Sequence, residues 1–189
     1  MTIACKNLQL IRNEIPICEE LNIEINFGEV VNVTGKNGAG KTTFLKVLAG
    51  FNTQYTGECF LSEESTFLPD YPVVDDDLTV EQNINFWSSV FGAKGKVKAT
   101  VKLLQLDDKL HLFVHQLSKG WVARVNLTKI LLSNSRVLIL DEPFANLDAE
   151  GKELISNIMQ ARAENRGIVI FSSQSKHIMQ NARIIELHG

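Results

Sequence analysis

The run Gly35-Lys36-Asn37-Gly38-Ala39-Gly40-Lys41-Thr42 constrains the fold of this chain more than any other stretch. Before it, Val30-Val31-Asn32-Val33 is mostly apolar and ends at Thr34, as expected for a strand buried on both faces of a sheet. After it, Lys41 to Leu48 reads as a helix closed by Gly50 as its C-cap. A glycine-rich turn from a buried strand into a helix N-terminus curls so that successive backbone N–H groups converge, and the helix dipole adds partial positive charge there. Such a concavity takes phosphate. The run fits G-x-x-x-x-G-K-[ST] in the strand-to-helix context that motif requires. With glycine near 7% of average usage, a chance match has odds of about one in a hundred or less. In this reading Gly35 to Thr42, with Thr43, hold a nucleoside triphosphate, ATP. Lys41 reaches its β- and γ-phosphates and the Thr42 hydroxyl ligates Mg²⁺.

The rest of the pattern predicts an α/β fold of the P-loop NTPase class. Leu21, Ile23, Ile25 and Phe27 alternate with polar residues, giving a half-buried strand that pairs antiparallel with Ile3 to Leu10. Strand-like runs recur at Val137 to Leu140, Ile168 to Phe171 and Ile184 to Leu187, with a helix at Glu150 to Ala163 between the first two. Strands alternating with helices imply a mainly parallel core sheet, here beside an N-terminal antiparallel β subdomain. Thr79 and Gln82 have capping-box spacing, and Val80, Ile84, Trp87 and Phe91 follow at helical steps that favour a buried Trp87. Val101 to Leu104 and Val122 to Leu132 also read as helical, which places an inserted helical lobe at about 75–132. At 189 residues and 44% hydrophobic, the chain suits one domain, 1–189.

A net charge of −3 offers no basic stripe for nucleic acid. Three cysteines without C-x-x-C spacing, and no cationic-then-apolar leader at Met1, point to a reducing cytosol. The apolar runs are far shorter than the roughly 18 residues that span a bilayer, so membrane association is expected through partners.

Val137-Leu138-Ile139-Leu140-Asp141-Glu142 is a buried strand ending in two acids. In combination with the phosphate loop, Asp141 is placed to hold the Mg²⁺ shell and Glu142 to orient or polarise the attacking water.

From here the sequence resembles the ABC ATPase family over nearly its whole length. Asp141-Glu142-Pro143 followed by Asn146-Leu147-Asp148 looks like that family's Walker B and D-loop, and Leu117-Ser118-Lys119-Gly120 like its signature motif. The resemblance implies a nucleotide-sandwich dimer in which Ser118 and the Gly120 N–H serve the partner's γ-phosphate. Several positions depart from the family pattern. Trp121 stands where the signature usually continues with Gln, and Gln174 where the switch histidine is expected. Asp70, or Tyr71 with a shift of one residue, stands in place of the Q-loop glutamine; an Asp there could reach Mg²⁺ through water. Glutamine hydrogen-bonds a phosphate but carries no proton, so hydrolysis is expected to be slow, with His177 read as a solvated residue.

Arg12, in place of the usual adenine-stacking tyrosine, together with Glu81-Gln82-Asn83-Ile84-Asn85-Phe86 and the Leu138 to Asp148 stretch, is similar to the haem-exporter ATPases of bacterial cytochrome c maturation, the CcmA family. That resemblance implies a homodimer docked on integral membrane transporter subunits at the cytoplasmic face of the bacterial inner membrane, energising haem export and release from its chaperone. Tyr71, Val73 and Val74 beside Asp75 to Asp77 form the expected partner patch. Two other readings remain open at this point. One is a soluble ABC ATPase in cofactor assembly; the other is a hydrolysis-impaired nucleotide-switch subunit.

Overall fold

The computed structural model describes residues 3–175 and 178–188. The chain divides into two compact units, one of residues 1–67, 135–143 and 159–189 and the other of residues 68–134 and 144–158.

The first unit contains two sheets. Strand β1 (Ile3–Arg12) is the centre of an antiparallel sheet with β2 (Ile15–Pro16), β3 (Leu21–Ile25) and β5 (Tyr55–Leu61) as partners. Its register sets Ile3 opposite Ile25 and Leu61, and Cys5 opposite Ile23 and Cys59. The predicted pairing of the first two apolar segments is therefore as observed, and the reason is their shared alternation of buried and polar positions. The second sheet has the order β6 (Ser65–Leu68), β7 (Val137–Leu140), β8 (Ile168–Ser172), β4 (Val30–Thr34), β9 (Arg183–Glu186). The pairs β7/β8, β8/β4 and β4/β9 are parallel. Strands β4, β7 and β8 are buried at every residue, which is what continuous rather than alternating apolar runs signify.

Helix α1 (Lys41–Leu48) packs on β7 and β8 and on β5 of the other sheet. Its fully buried Phe44, Leu45 and Leu48 tie the two sheets into one core with Val31, Val33, Ile139 and Ile170. Each such side chain contributes about 1.5–3 kcal/mol by leaving water. Ala49 is the C-cap of α1, and Gly50, with φ 76°, is the next residue.

Strands β5 and β6 carry no sequence signal. Gly57 and Glu58 break the apolar pattern within β5, where only Tyr55, Cys59 and Leu61 are even half-buried.

The second unit is helical, with α2 (Val80–Val90), α3 (Val97–Leu103), α4 (Lys119–Asn126) and α5 (Thr128–Leu132) around buried Ile84, Val101, Leu104, Val125 and Ile130. The Thr79 capping box is formed: Gln82 N–H donates to the Thr79 hydroxyl and the Thr79 N–H to the Gln82 side chain. The single helix expected over Val122 to Leu132 is instead two, hinged at Leu127. Trp87, expected in the core, is half-buried, its ring against Phe91 at 5.8 Å and under the Lys129 ammonium at 4.8 Å. The ammonium over the indole face stands where a core ring would have an apolar neighbour. Helix α6 (Ala149–Glu164) begins in this unit.

Candidate functional site

The order of the parallel sheet decides what meets at its C-terminal edge. Strand β8 lies between β7 and β4, so the loops after all three open on one side, the usual place for ligands in open parallel sheets.

From β4 the chain enters the glycine loop. Gly35 has φ 149°, and a Cβ there would lie 2.7 Å from the Leu187 carbonyl oxygen; only glycine fits. Gly40, the N-cap of α1, is left-handed at φ 94° and accepts the Phe44 N–H at 2.7 Å. Lys36, Asn37 and Gly38 are exposed, Ala39 is buried, and Thr42 and Thr43 are half-buried in the first turn of the helix.

Lys41 is the first residue of α1, where the predicted helix begins, yet it is only 9% exposed, and its ammonium donates to the carbonyls of Gly35 at 2.9 Å and Lys36 at 3.3 Å. Curling the loop turns those carbonyls inward on one side, and the nearest cation satisfies them.

From β7 come the two acids. Asp141 is buried; its Oδ1 accepts the Ser172 hydroxyl at 2.5 Å and its Oδ2 has no donor among the described residues. The same Ser172 oxygen accepts the Glu142 N–H at 2.8 Å, and Glu142 sits at φ 47°. Ser172 thus fixes both acids, a role sequence reasoning missed. A buried carboxylate oxygen without a protein donor suits a hard divalent cation. Among the described residues no cluster of three or more His, Cys, Asp or Glu offers a cage of protein ligands, so a cation here takes its other ligands from substrate, hydroxyl and water. Mg²⁺ is typically held this way, and the residues fit it.

From β8 comes Gln174, exposed beyond Ser173. Asn32, buried in the middle of β4, donates to the Ser175 carbonyl at 3.0 Å, and its Oδ1 lies 3.0 Å from the Ser173 hydroxyl. It brackets the Gln174 backbone. A lone amide in Val-Val-Asn-Val was the available signal, since a buried polar side chain needs partners. Arg12 is exposed at the end of β1, opposite Ile15, and the neighbouring Leu10 and Ile17 reach toward Gly40, where a Cβ would meet them at 3.3 and 3.2 Å. His177 lies outside the described residues.

The second unit holds the other predicted residues. Ser118 caps α4 and accepts the Trp121 N–H at 3.4 Å, and a Cβ on Gly120 would lie 3.5 Å from the Asn146 carbonyl. Trp121 has the Lys109 ammonium 4.3 Å and the Arg124 guanidinium 5.0 Å from its ring centroid. Arg124, buried, donates to Gln105 at 2.8 Å and Glu150 at 3.2 Å, with the Asp148 carboxylate 3.6 Å away. The Gly151 N–H, and then Arg124, hold the Asp148 carboxyl below its ordinary range. Asp70 is exposed after buried Pro69. An open groove within this unit is lined by Val73, Val74, Leu78 and Phe86 with Asp75 and Asp76. Phe86 is 55% and Tyr71 60% exposed; sequence reasoning placed Tyr71, but not Phe86, in the partner patch.

The sequence pattern of the family described as ABC transporter matches residues 18–145. A cytochrome c biogenesis ATP-binding export protein CcmA from Wolbachia pipientis wMel is 32% identical over 183 residues, covering 90% of this chain and 88% of its own length. A protein of the same name from Shewanella sp. (strain MR-7) is 31% identical over 199 residues, covering 96% and 91%. Among solved structures, an ABC transporter ATP-binding protein from Pyrococcus furiosus superposes with a TM-score of 0.87 at 26% identity, over 100% of this chain and 98% of that one.

Proposed function

The chain belongs to the ABC transporter family and, within it, to the CcmA family of cytochrome c biogenesis ATP-binding export proteins, and on that premise we propose that it is the ATP-hydrolysing subunit that energises haem export. The observation that carries the mechanism is the meeting of the glycine loop and the Ser172-held acid pair at one sheet edge.

The loop N–H groups and the α1 N-terminus receive the phosphates of ATP, and the Lys41 ammonium moves from loop carbonyls to phosphate oxygens. Thr42 and Asp141 would hold Mg²⁺, which when bound would offset the charge of the phosphates. Glu142 accepts the proton of the attacking water, its backbone anchored by Ser172. Gln174 hydrogen-bonds the γ-phosphate and holds that water in line. Arg12 stacks on the adenine. Ser118 and Gly120 of a second copy close over the nucleotide, so residues 1–189 act as one ATP-binding domain, with its helical lobe at about 75–132, in a homodimer. With a neutral amide at 174 and an aromatic at 121, turnover is slow.

Among the described residues no helix is long and apolar enough to cross a membrane. Integral membrane subunits dock in the groove of Val73, Val74 and Phe86 and hold the chain at the cytoplasmic face of the inner membrane. Affinity purification of the tagged chain from detergent-solubilised membranes tests this. Integral membrane proteins should come with it, and the complex should hydrolyse ATP. Recovery of an active ATPase only from the membrane-free fraction would replace this reading with a soluble ATPase of cofactor assembly.

A further inference from the structure

Two cysteines stand side by side where the proposed ATPase cycle uses neither. Cys5 in β1 is the register partner of Cys59 in β5, and their sulfurs are 3.5 Å apart. Opposite residues of an antiparallel pair have Cα atoms about 4.5–5.5 Å apart, inside the roughly 4.4–6.8 Å that disulfides span. Only the sulfurs must close, to about 2.05 Å. Cys5 is buried, whereas Cys59 is partly open to solvent.

We propose that Cys5 and Cys59 are a peroxide-reactive pair, a reversible modification site in which Cys59 is oxidised first and Cys5 resolves it as an intramolecular disulfide. The Cys59 thiolate attacks one oxygen of hydrogen peroxide. The O–O bond breaks, hydroxide leaves and takes a proton as water, and Cys59 becomes a sulfenic acid. Cys5 then gives up its proton and attacks the Cys59 sulfur. The S–S bond forms, the S–O bond breaks, and the departing hydroxide takes that proton as a second water. Two thiols are oxidised and one peroxide is reduced. The division of labour follows from position: Cys59 is open to peroxide and Cys5 is buried behind it, and the hydrogen bond the two sulfurs share holds Cys59 below the ordinary thiol range while that bond and burial push Cys5 up. Excess thiol reverses the bond by exchange, as suits a disulfide in a reducing compartment.

The link has a structural consequence. It closes a loop that contains β3, β4, the glycine loop and α1. It also clamps β1 to β5 just before their register shifts between Lys6 and Gln9, on the strand that continues to Arg12. Constraining so long a loop in the unfolded chain stabilises the fold.

The full-length protein, purified in reductant and then desalted, is titrated with hydrogen peroxide, with alkylation, free-thiol counting and peptide mass mapping. Three free thiols should fall to one, with the Cys5 and Cys59 peptides joined at the loss of two hydrogens. The melting temperature should rise and then return to its starting value with a thiol reductant. Cys18→Ala should form the same link, Cys59→Ser should form none, and in Cys5→Ala the Cys59 sulfur should run on to sulfinic acid. If Cys5→Ala does not fold, mapping of wild type against Cys59→Ser decides the matter. A wild-type protein that keeps three thiols, links through Cys18, crosslinks only between chains, or accumulates Cys59 sulfinic acid beside free Cys5 overturns the proposal. None of these readouts depends on nucleotide, so failure here leaves the ATPase reading intact.

Discussion

Ser172→Ala tests whether one hydroxyl holds both acids of the site. In the folded chain that oxygen donates to buried Asp141 at 2.5 Å and accepts from the Glu142 N–H at 2.8 Å. A hydrogen bond to a charged group contributes about 1.5–3 kcal/mol, and a buried N–H deprived of its acceptor costs about 1–3 kcal/mol. Among the described residues Asp141 has no donor on its other oxygen, so none of them makes up the lost bond. The sum is about 2.5–6 kcal/mol, less whatever water or repacking recovers at the part-buried Glu142 N–H, and about 3 kcal/mol is the working value. For a chain of 189 residues this lowers the melting temperature by about 6–12 °C. Because Glu142 keeps a left-handed backbone at φ 47° with that anchor, ATP turnover at saturating Mg-ATP should also fall about tenfold or more. Thermal unfolding and steady-state phosphate release are the assays. Ser89→Ala, which removes only an exposed bond to the Asn85 carbonyl, is the control and should stay within about 0.5 kcal/mol of wild type. A Ser172→Ala protein that melts with the control and turns over like wild type would refute the argument.

Lys41→Ala should weaken ATP binding by about 100-fold, the loss of charge-assisted contacts to phosphate, and should also cost about 1–2 kcal/mol of stability because the ammonium holds two loop carbonyls; nucleotide titration and thermal unfolding read the two effects, and full affinity would discard the phosphate-loop assignment. Glu142→Gln should bind Mg-ATP but hydrolyse it about 100-fold more slowly and run as an ATP-dependent dimer on gel filtration; a monomer with wild-type turnover would remove Glu142 from the proton-accepting role. Gln174→His should raise turnover by about 10- to 100-fold in the membrane complex, with Trp121 limiting the gain; equal rates would mean that position 174 does not face the γ-phosphate.

The glycine loop, the strand and helix beside it, and the acid pair were legible in the chain because each is a short-range pattern: residue type, spacing and period suffice to specify them. The polar contacts between residues distant in sequence were not. Asn32 stood out as an amide inside an apolar strand, but its partners lie 141 and 143 residues away, and nothing local says which strand will be its neighbour. Ser172 reads as the polar end of a strand until the sheet order places β8 beside β7 and sets its hydroxyl between the two acids. Lys41 was recognisable as a phosphate ligand, yet its burial follows from how the loop carbonyls turn, a backbone property that residue spacing does not encode. The same holds for Cys5 and Cys59, 54 residues apart and odd in composition only until an antiparallel register sets them opposite each other. Sequence by itself determined the local chemistry, because propensity, periodicity and motif geometry act over a few residues. Tertiary structure alone decided which distant polar groups satisfy one another, because sheet order and register are set by the burial of whole elements and not by any residue within them.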